Sequence, residues 1–76
     1  MGMHALKLRD GTVNAVGYAL ASIGVKIKAK RMRLGVSQAR LAMAAGVRVE
    51  TLNRIERGTA NPTVSTLQKI IRGLSR

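Results

Sequence analysis

Side chains able to make or break bonds are few in this chain. His4 is the single imidazole, and Asp10, Glu50 and Glu56 are the three side-chain carboxylates. The one acid–base pairing within easy reach is His4 with Asp10, close to the N-terminus. General acid–base chemistry needs a positioned partner, and a solvated residue in a loose N-terminal arm accounts for His4 more simply. No HExxH, no GxSxG and no glycine-rich loop ending in Lys-Ser/Thr occurs. Cysteine is absent, which removes thiolate nucleophiles, thiolate metal sites and disulfides together. The chain is expected not to be an enzyme, and to carry neither a metal nor a cofactor.

What it does carry is positive charge and amide groups. Fourteen Lys and Arg stand against three Asp and Glu in 76 residues, a formal net charge of +11. The excess is uneven: residues 25–76 hold twelve of the basic residues and two of the acids. A polyanion is the expected partner, either duplex nucleic acid or an anionic membrane surface. Aromatic residues are nearly absent, with one Tyr and neither Phe nor Trp. That counts against single-strand modules, which stack bases on aromatic rings. The apolar stretch VNAVGYALASIGV (13–25) falls short of the roughly 20 residues that cross a bilayer and runs into the basic KIKAKRMR. Neither a secretory segment nor a membrane partner is expected.

Hydrophobic residues make up 46% of the chain, too many for a disordered basic tail. A domain this small buries only about 60% of the surface its unfolded chain exposes. It therefore needs well-packed helices or a partner chain. The periodicity supplies helices. Val16, Leu20, Ile23, Ile27 and Leu34 fall at helical spacing, with Gly35 a normal stop and the start lying between Asn14 and Leu20. Ser37 caps a second helix from Gln38 to Ala45, which Gly46 breaks. A third runs from about Val49 to Arg57, stopped by Gly58. After the loop TANP, Thr63 caps a fourth from Val64 to about Gly73, its apolar face formed by Val64, Leu67, Ile70 and Ile71. The expected class is all-α, four helices joined by short loops. Residues 4–16 read either as a small hairpin turning at Asp10-Gly11 or as a flexible arm.

The second and third helices share the turn Ala45-Gly46-Val47. Leu41, Ala45, Val47, Leu52 and Ile55 are apolar, Ala42 is small enough for close helix crossing, and Gly46 suits a tight left-handed turn. This is a helix-turn-helix pattern. With Leu52 and Ile55 committed to the core, the opposite face of the third helix shows Val49, Glu50, Asn53 and Arg54. Each has a base-edge partner: Arg54 for guanine O6/N7, Asn53 for adenine N6/N7, Glu50 for cytosine N4, and Val49 for a thymine methyl. Taken alone, Glu50 and Arg54 equally make an ordinary i,i+4 surface ion pair.

The segment from Ile23 to Leu74 resembles the lambda-type phage repressor and Cro (XRE-like) family of helix-turn-helix regulators, which includes antitoxins. The resemblance rests on Arg31, LGVSQ (34–38), Leu41-Ala42, AGV (45–47), IERG (55–58) and Asn61-Pro62. It implies a lambda-repressor-like domain of residues 20–76, here without the fifth helix, with the second helix over the phosphate backbone and the third in the major groove. It also implies that Gln38 contacts phosphate, in keeping with the positive end of a helix. Arg48, Thr51 and Asn61 flank the same face and are assigned to phosphate. Arg31 and Glu56 match positions that the family joins by a structural salt bridge. Arg48 departs from the Ser or Thr usual at the N-cap of the third helix, so that cap is expected to be weak.

The resulting expectation is a cytoplasmic, nucleoid-associated regulator of transcription. It would bind double-stranded DNA as a homodimer and repress from a palindromic operator. The alternative is an antitoxin that neutralises a toxin partner and autoregulates its operon. Residues 1–19 are the arm or hairpin, and Leu6, Leu8, Val13, Val16 and Leu20 form either a dimer surface or a helix extension packed on its own domain.

Overall fold

The computed structural model describes the backbone of residues 6–75 and the side chains of residues 19–75. His4 and the side chains of Leu6, Leu8, Asp10, Val13 and Val16 lie outside the described residues. Four helices and no strand occur among those described: α1 Leu6–Arg33, α2 Gln38–Ala45, α3 Val49–Glu56 and α4 Val64–Leu74. The all-α expectation holds, and the ends of α2, α3 and α4 fall within a residue of where the capping residues place them. Ser37 Oγ accepts from the Arg40 N–H at 3.1 Å, and Thr63 Oγ1 from the Thr66 N–H at 3.0 Å. Arg48 occupies the N-cap of α3 and makes no side-chain cap bond.

The N-terminal expectation needs correction. Asp10-Gly11 makes no hairpin, because α1 begins at Leu6 and runs 28 residues without a break, across residues 19 and 20. Two physical terms favour this. An isolated hairpin is marginal in water. Extending an existing helix adds one hydrogen bond per residue and needs no new nucleus. The glycines cost only about 1 kcal/mol each against Ala.

Helices α1, α2 and α3 end in the same way. At the end of α2, Gly46 adopts φ 74°. Its N–H reaches Met43 O at 3.2 Å while the Val47 N–H reaches Ala42 O at 3.0 Å. This paired closure satisfies carbonyls that a bare helix end leaves open, and its left-handed residue favours glycine. Gly35 and Gly58 close α1 and α3 with the same pair of bonds. The turns are therefore short and stiff, and α2 and α3 keep a defined relative placement.

The core is small: Ile27 from α1, Leu41, Ala42 and Ala45 from α2, Leu52 and Ile55 from α3, and Ile70 from α4. Ile23, Val36, Val47, Ala60, Leu67 and Leu74 pack around it. The expected apolar face of α4 is only partly right. Ile70 is fully buried, but Val64 is 72% and Ile71 58% exposed. α1 crosses α3 at Gly24, where a Cβ would lie 2.3 Å from Ile55 O and 2.7 Å from Glu56 O. Gly58 packs against Ala21, where a Cβ would lie 2.9 Å from the Ala21 Cα. Small residues on α1 thus seat the C-terminal end of α3.

Candidate nucleic-acid interface

The outer face of α3 is built by subtraction. Leu52 and Ile55 are fully committed inward, and Glu56 is buried with them. Val49, Glu50 and Arg54 are left exposed, with Asn53 and Thr51 half-buried at the edge of the same face. Glu50 and Arg54, one turn apart, form no ion pair among the described residues, so both side chains are available to a ligand. Arg48 lies exposed at the start of α3, and Asn61 lies exposed in the loop after it. Gln38 sits half-buried in the first turn of α2.

Behind this face lies a polar network joining three helices. Arg31 Nε donates to Glu56 Oε2 at 2.7 Å, and Arg31 Nη2 donates to Glu56 Oε1 at 3.0 Å. The paired geometry of guanidinium on carboxylate makes this the strong form of ion pair. Arg31 Nη1 also donates to Val36 O at 2.9 Å, tying the α1–α2 turn into the network. Both side chains are nearly sealed, 11% exposed for Arg31 and 2% for Glu56. The pair thus locks the last turn of α1 to the last turn of α3.

Burial, the largest single influence on the Glu56 carboxyl, pushes its pKa up. Hydrogen bonds from Arg31 and Gln38, with the charges of Arg31 and Lys28, together outweigh it and hold the carboxyl below its ordinary value. The hydrogen bond to Glu56 raises Arg31 in turn, against a smaller opposing effect of burial.

The network extends to the outer face, which the sequence did not reveal. Gln38 Nε2 donates to Glu56 Oε1 at 3.0 Å, and Asn53 Nδ2 donates to Gln38 Oε1 at 3.3 Å. Arg57 Nη1 reaches Asn53 Oδ1 at 3.5 Å. A residue assigned to phosphate and a residue assigned to a base are therefore bonded to each other. Both are anchored to the Arg31–Glu56 pair. Gln38 keeps its second Nε2 hydrogen, since a carboxamide carries two. Asn53 and Glu56 lie one turn apart on α3, but Gln38 is 15 and 18 positions away, and only the packing of α2 on α3 brings it to them.

No group of His, Asp and Glu able to hold a metal occurs among the described residues, and no described helix is long and apolar enough to cross a membrane.

Comparison with known proteins fits this geometry. A family model for helix-turn-helix domains matches residues 27–75. The chain is 43% identical over 53 residues to the HTH-type transcriptional regulator SutR of Escherichia coli K12, covering 70% of this chain and 30% of SutR. It is 39% identical over 46 residues to an uncharacterized HTH-type transcriptional regulator of Haemophilus influenzae, covering 60% of this chain and 47% of that one. The chain thus spans less than half the length of these relatives. Among solved structures, it superposes on the restriction-modification controller protein C.AhdI of Aeromonas hydrophila with a TM-score of 0.75 at 26% identity. That match covers 76% of this chain and 88% of C.AhdI. A point mutant of the controller protein C.Esp1396I gives 0.72 at 30% identity, covering 75% and 76%. With four helices, a glycine-closed turn between α2 and α3 and a family match over residues 27–75, the chain belongs to the lambda-type, XRE-like helix-turn-helix family.

Proposed function

We propose that this chain is a sequence-specific, double-stranded-DNA-binding regulator of transcription. The observation that carries this reading is the exposed stripe on α3, held at a fixed depth by the Arg31–Glu56–Gln38 network. In this reading α3 enters the major groove, and Val49, Glu50, Asn53 and Arg54 meet base edges. Gln38, Arg48, Thr51 and Asn61 meet phosphates, where the chain's net charge of +11 adds a sequence-independent attraction.

The finer reading is a homodimer repressing from a palindromic operator, since two half-sites about one helical turn apart need two copies. An apolar groove between α1 and α4 supports a place for the second copy. It encloses about 330 Å³ and is lined by Ile23, Ile27, Leu67, Ile71 and Leu74, with Lys26 on its border. The helix that supplies Ile23 and Ile27 continues back through Leu20 to Leu6, so the candidate dimer residues and the groove share one element. A toxin partner for the same stretch of α1 is the alternative. Co-expression with the product of a neighbouring reading frame tests it.

Selection of bound sites from a random duplex pool tests the main reading. A symmetric pair of half-sites about 10 base pairs apart supports a dimeric regulator. Recovery of unenriched sequence, with binding that only follows salt, removes it.

A further inference from the structure

We infer that Gln38 is a specificity-determining positioning residue, which fixes the end of the Asn53 carboxamide offered to the bound duplex so that Asn53 selects adenine. This inference rests on the proposed base-reading role of α3.

The argument follows donors and acceptors along the chain of bonds. Glu56 is a carboxylate whose two oxygens both accept from Arg31. An ionised carboxylate has no hydrogen to give. The group facing Glu56 from α2 must therefore be a donor, and Gln38 turns its Nε2 that way, 3.0 Å from Oε1. That leaves Gln38 Oε1 on the far side. A carbonyl oxygen only accepts, so its neighbour on α3 must donate, and Asn53 turns its Nδ2 to it at 3.3 Å. Asn53 Oδ1 is then held on the other edge, where Arg57 Nη1 touches it at 3.5 Å, the outer limit of a hydrogen bond.

An Asn amide without partners turns over about its terminal torsion, so neither its donor end nor its acceptor end holds a fixed place. Here the buried charge pair sets the polarity, and Gln38 transmits it. Asn53 is left with one free N–H and one acceptor oxygen at a fixed orientation. Adenine presents N7 as acceptor and N6–H₂ as donor in the major groove, which is the matching pair. Turning the carboxamide over would put the donor where adenine also donates. Gln38 thereby contributes to base choice without touching a base, in addition to any phosphate contact made through its remaining N–H.

The test uses ratios of affinity, in which a uniform loss cancels. Site selection with the wild-type protein and with Asn53→Ala identifies the half-site position whose adenine preference Asn53 supplies. Fluorescence anisotropy with duplexes carrying each base there gives the preference ratio. Gln38→Met, which keeps the chain length and removes both bonds, is expected to lower that ratio roughly tenfold while ratios at the other positions hold. In the Asn53→Ala background the same substitution is expected to change nothing further at that position. Loss of adenine preference in Asn53→Ala but not in Gln38→Met overturns the inference alone. No effect of Asn53→Ala at any position overturns the base-reading role, and the inference with it.

A measurement on the folded wild-type protein stands beside the variants. In ¹⁵N-edited NMR of the free protein, one Asn53 δ-amide proton should be shifted downfield and exchange slowly, unlike the amide protons of exposed Asn61. Asn53 δ-amide protons whose shifts and exchange rates match those of Asn61 would also overturn the inference.

Discussion

Gly24 of α1 lies directly beneath the carbonyl oxygen of Ile55 on α3, so close that a Cβ at residue 24 would come within 2.3 Å of it. The contact is backbone on backbone, with Glu56 O beside it at 2.7 Å. Neither carbonyl can swing away as a side-chain tip would. α1 and α3 must move apart to admit even one methyl group.

Gly24→Ala should therefore destabilise the domain although Ala is the better helix former by about 1 kcal/mol. Overpacking a tight contact costs about 1–3 kcal/mol, and the net loss should be read in the thermal melt. A melting temperature equal to or above wild type would show that the contact is looser than described.

The Arg31–Glu56 pair gives a second prediction. Removing one partner leaves the other charge buried, at a cost of about 3–5 kcal/mol. For a domain of this size, 1 kcal/mol moves Tm by about 4–8 °C. Glu56→Ala and Arg31→Met should each lower Tm by more than about 10 °C. The double variant Arg31→Met/Glu56→Leu should recover a large part of the loss, because it leaves no unpaired buried charge.

Acid should weaken the same pair. The folded-state pKa of Glu56 lies below its ordinary value, so folding favours the ionised carboxylate. That stability is fully present above the unfolded pKa of about 4.3 and is lost as pH falls through the lower folded value. Urea midpoints should hold between pH 7 and 5 and fall below about pH 4. In Glu56→Gln the fall should be distinctly shallower, and equal slopes in the two proteins would remove Glu56 as its cause.

Arg48 separates stability from binding. It holds the extended N-cap conformation, φ −76° and ψ 147°, without a cap bond. Arg48→Ser should supply the missing acceptor and raise stability by about 0.5–2 kcal/mol. The same change should weaken every DNA sequence alike and make the salt dependence shallower by about 0.9. A rise in Tm with unchanged affinity would take Arg48 off the phosphate backbone.

Arg54 should behave in the opposite sense. It is exposed and unpaired with Glu50, and a bidentate contact to guanine discriminates by about 1–3 kcal/mol. Arg54→Ala should erase preference at one position of the half-site and leave the unfolding free energy within about 0.5 kcal/mol of wild type. Equal losses on selected and random duplexes would count against the orientation of α3.

Much of this architecture is local chemistry and can be read along the chain. Ser37 and Thr63 cap, Gly35, Gly46 and Gly58 stop, and the spacing of Leu41, Ala45, Leu52 and Ile55 sets the inner faces. These signals work because caps, turns and amphipathic stripes involve residues only a few positions apart. The outer stripe of α3 follows from them as whatever the core does not take.

The start of α1 was not legible. Its glycines and the Asp10-Gly11 pair are turn signals whose cost is smaller than the gain from continuing a helix already formed. Gly24 carried no local sign of its purpose either, since only the crossing of α1 and α3 brings Ile55 O against it. The joining of Gln38 to both Glu56 and Asn53 likewise spans 18 and 15 positions, and exists because α2 packs on α3. Composition and spacing alone determined that this is a small basic helix-turn-helix domain. Tertiary packing decided that its buried salt bridge is wired to its outer face, because hydrogen-bond polarity passes only between groups that packing has brought within about 3 Å.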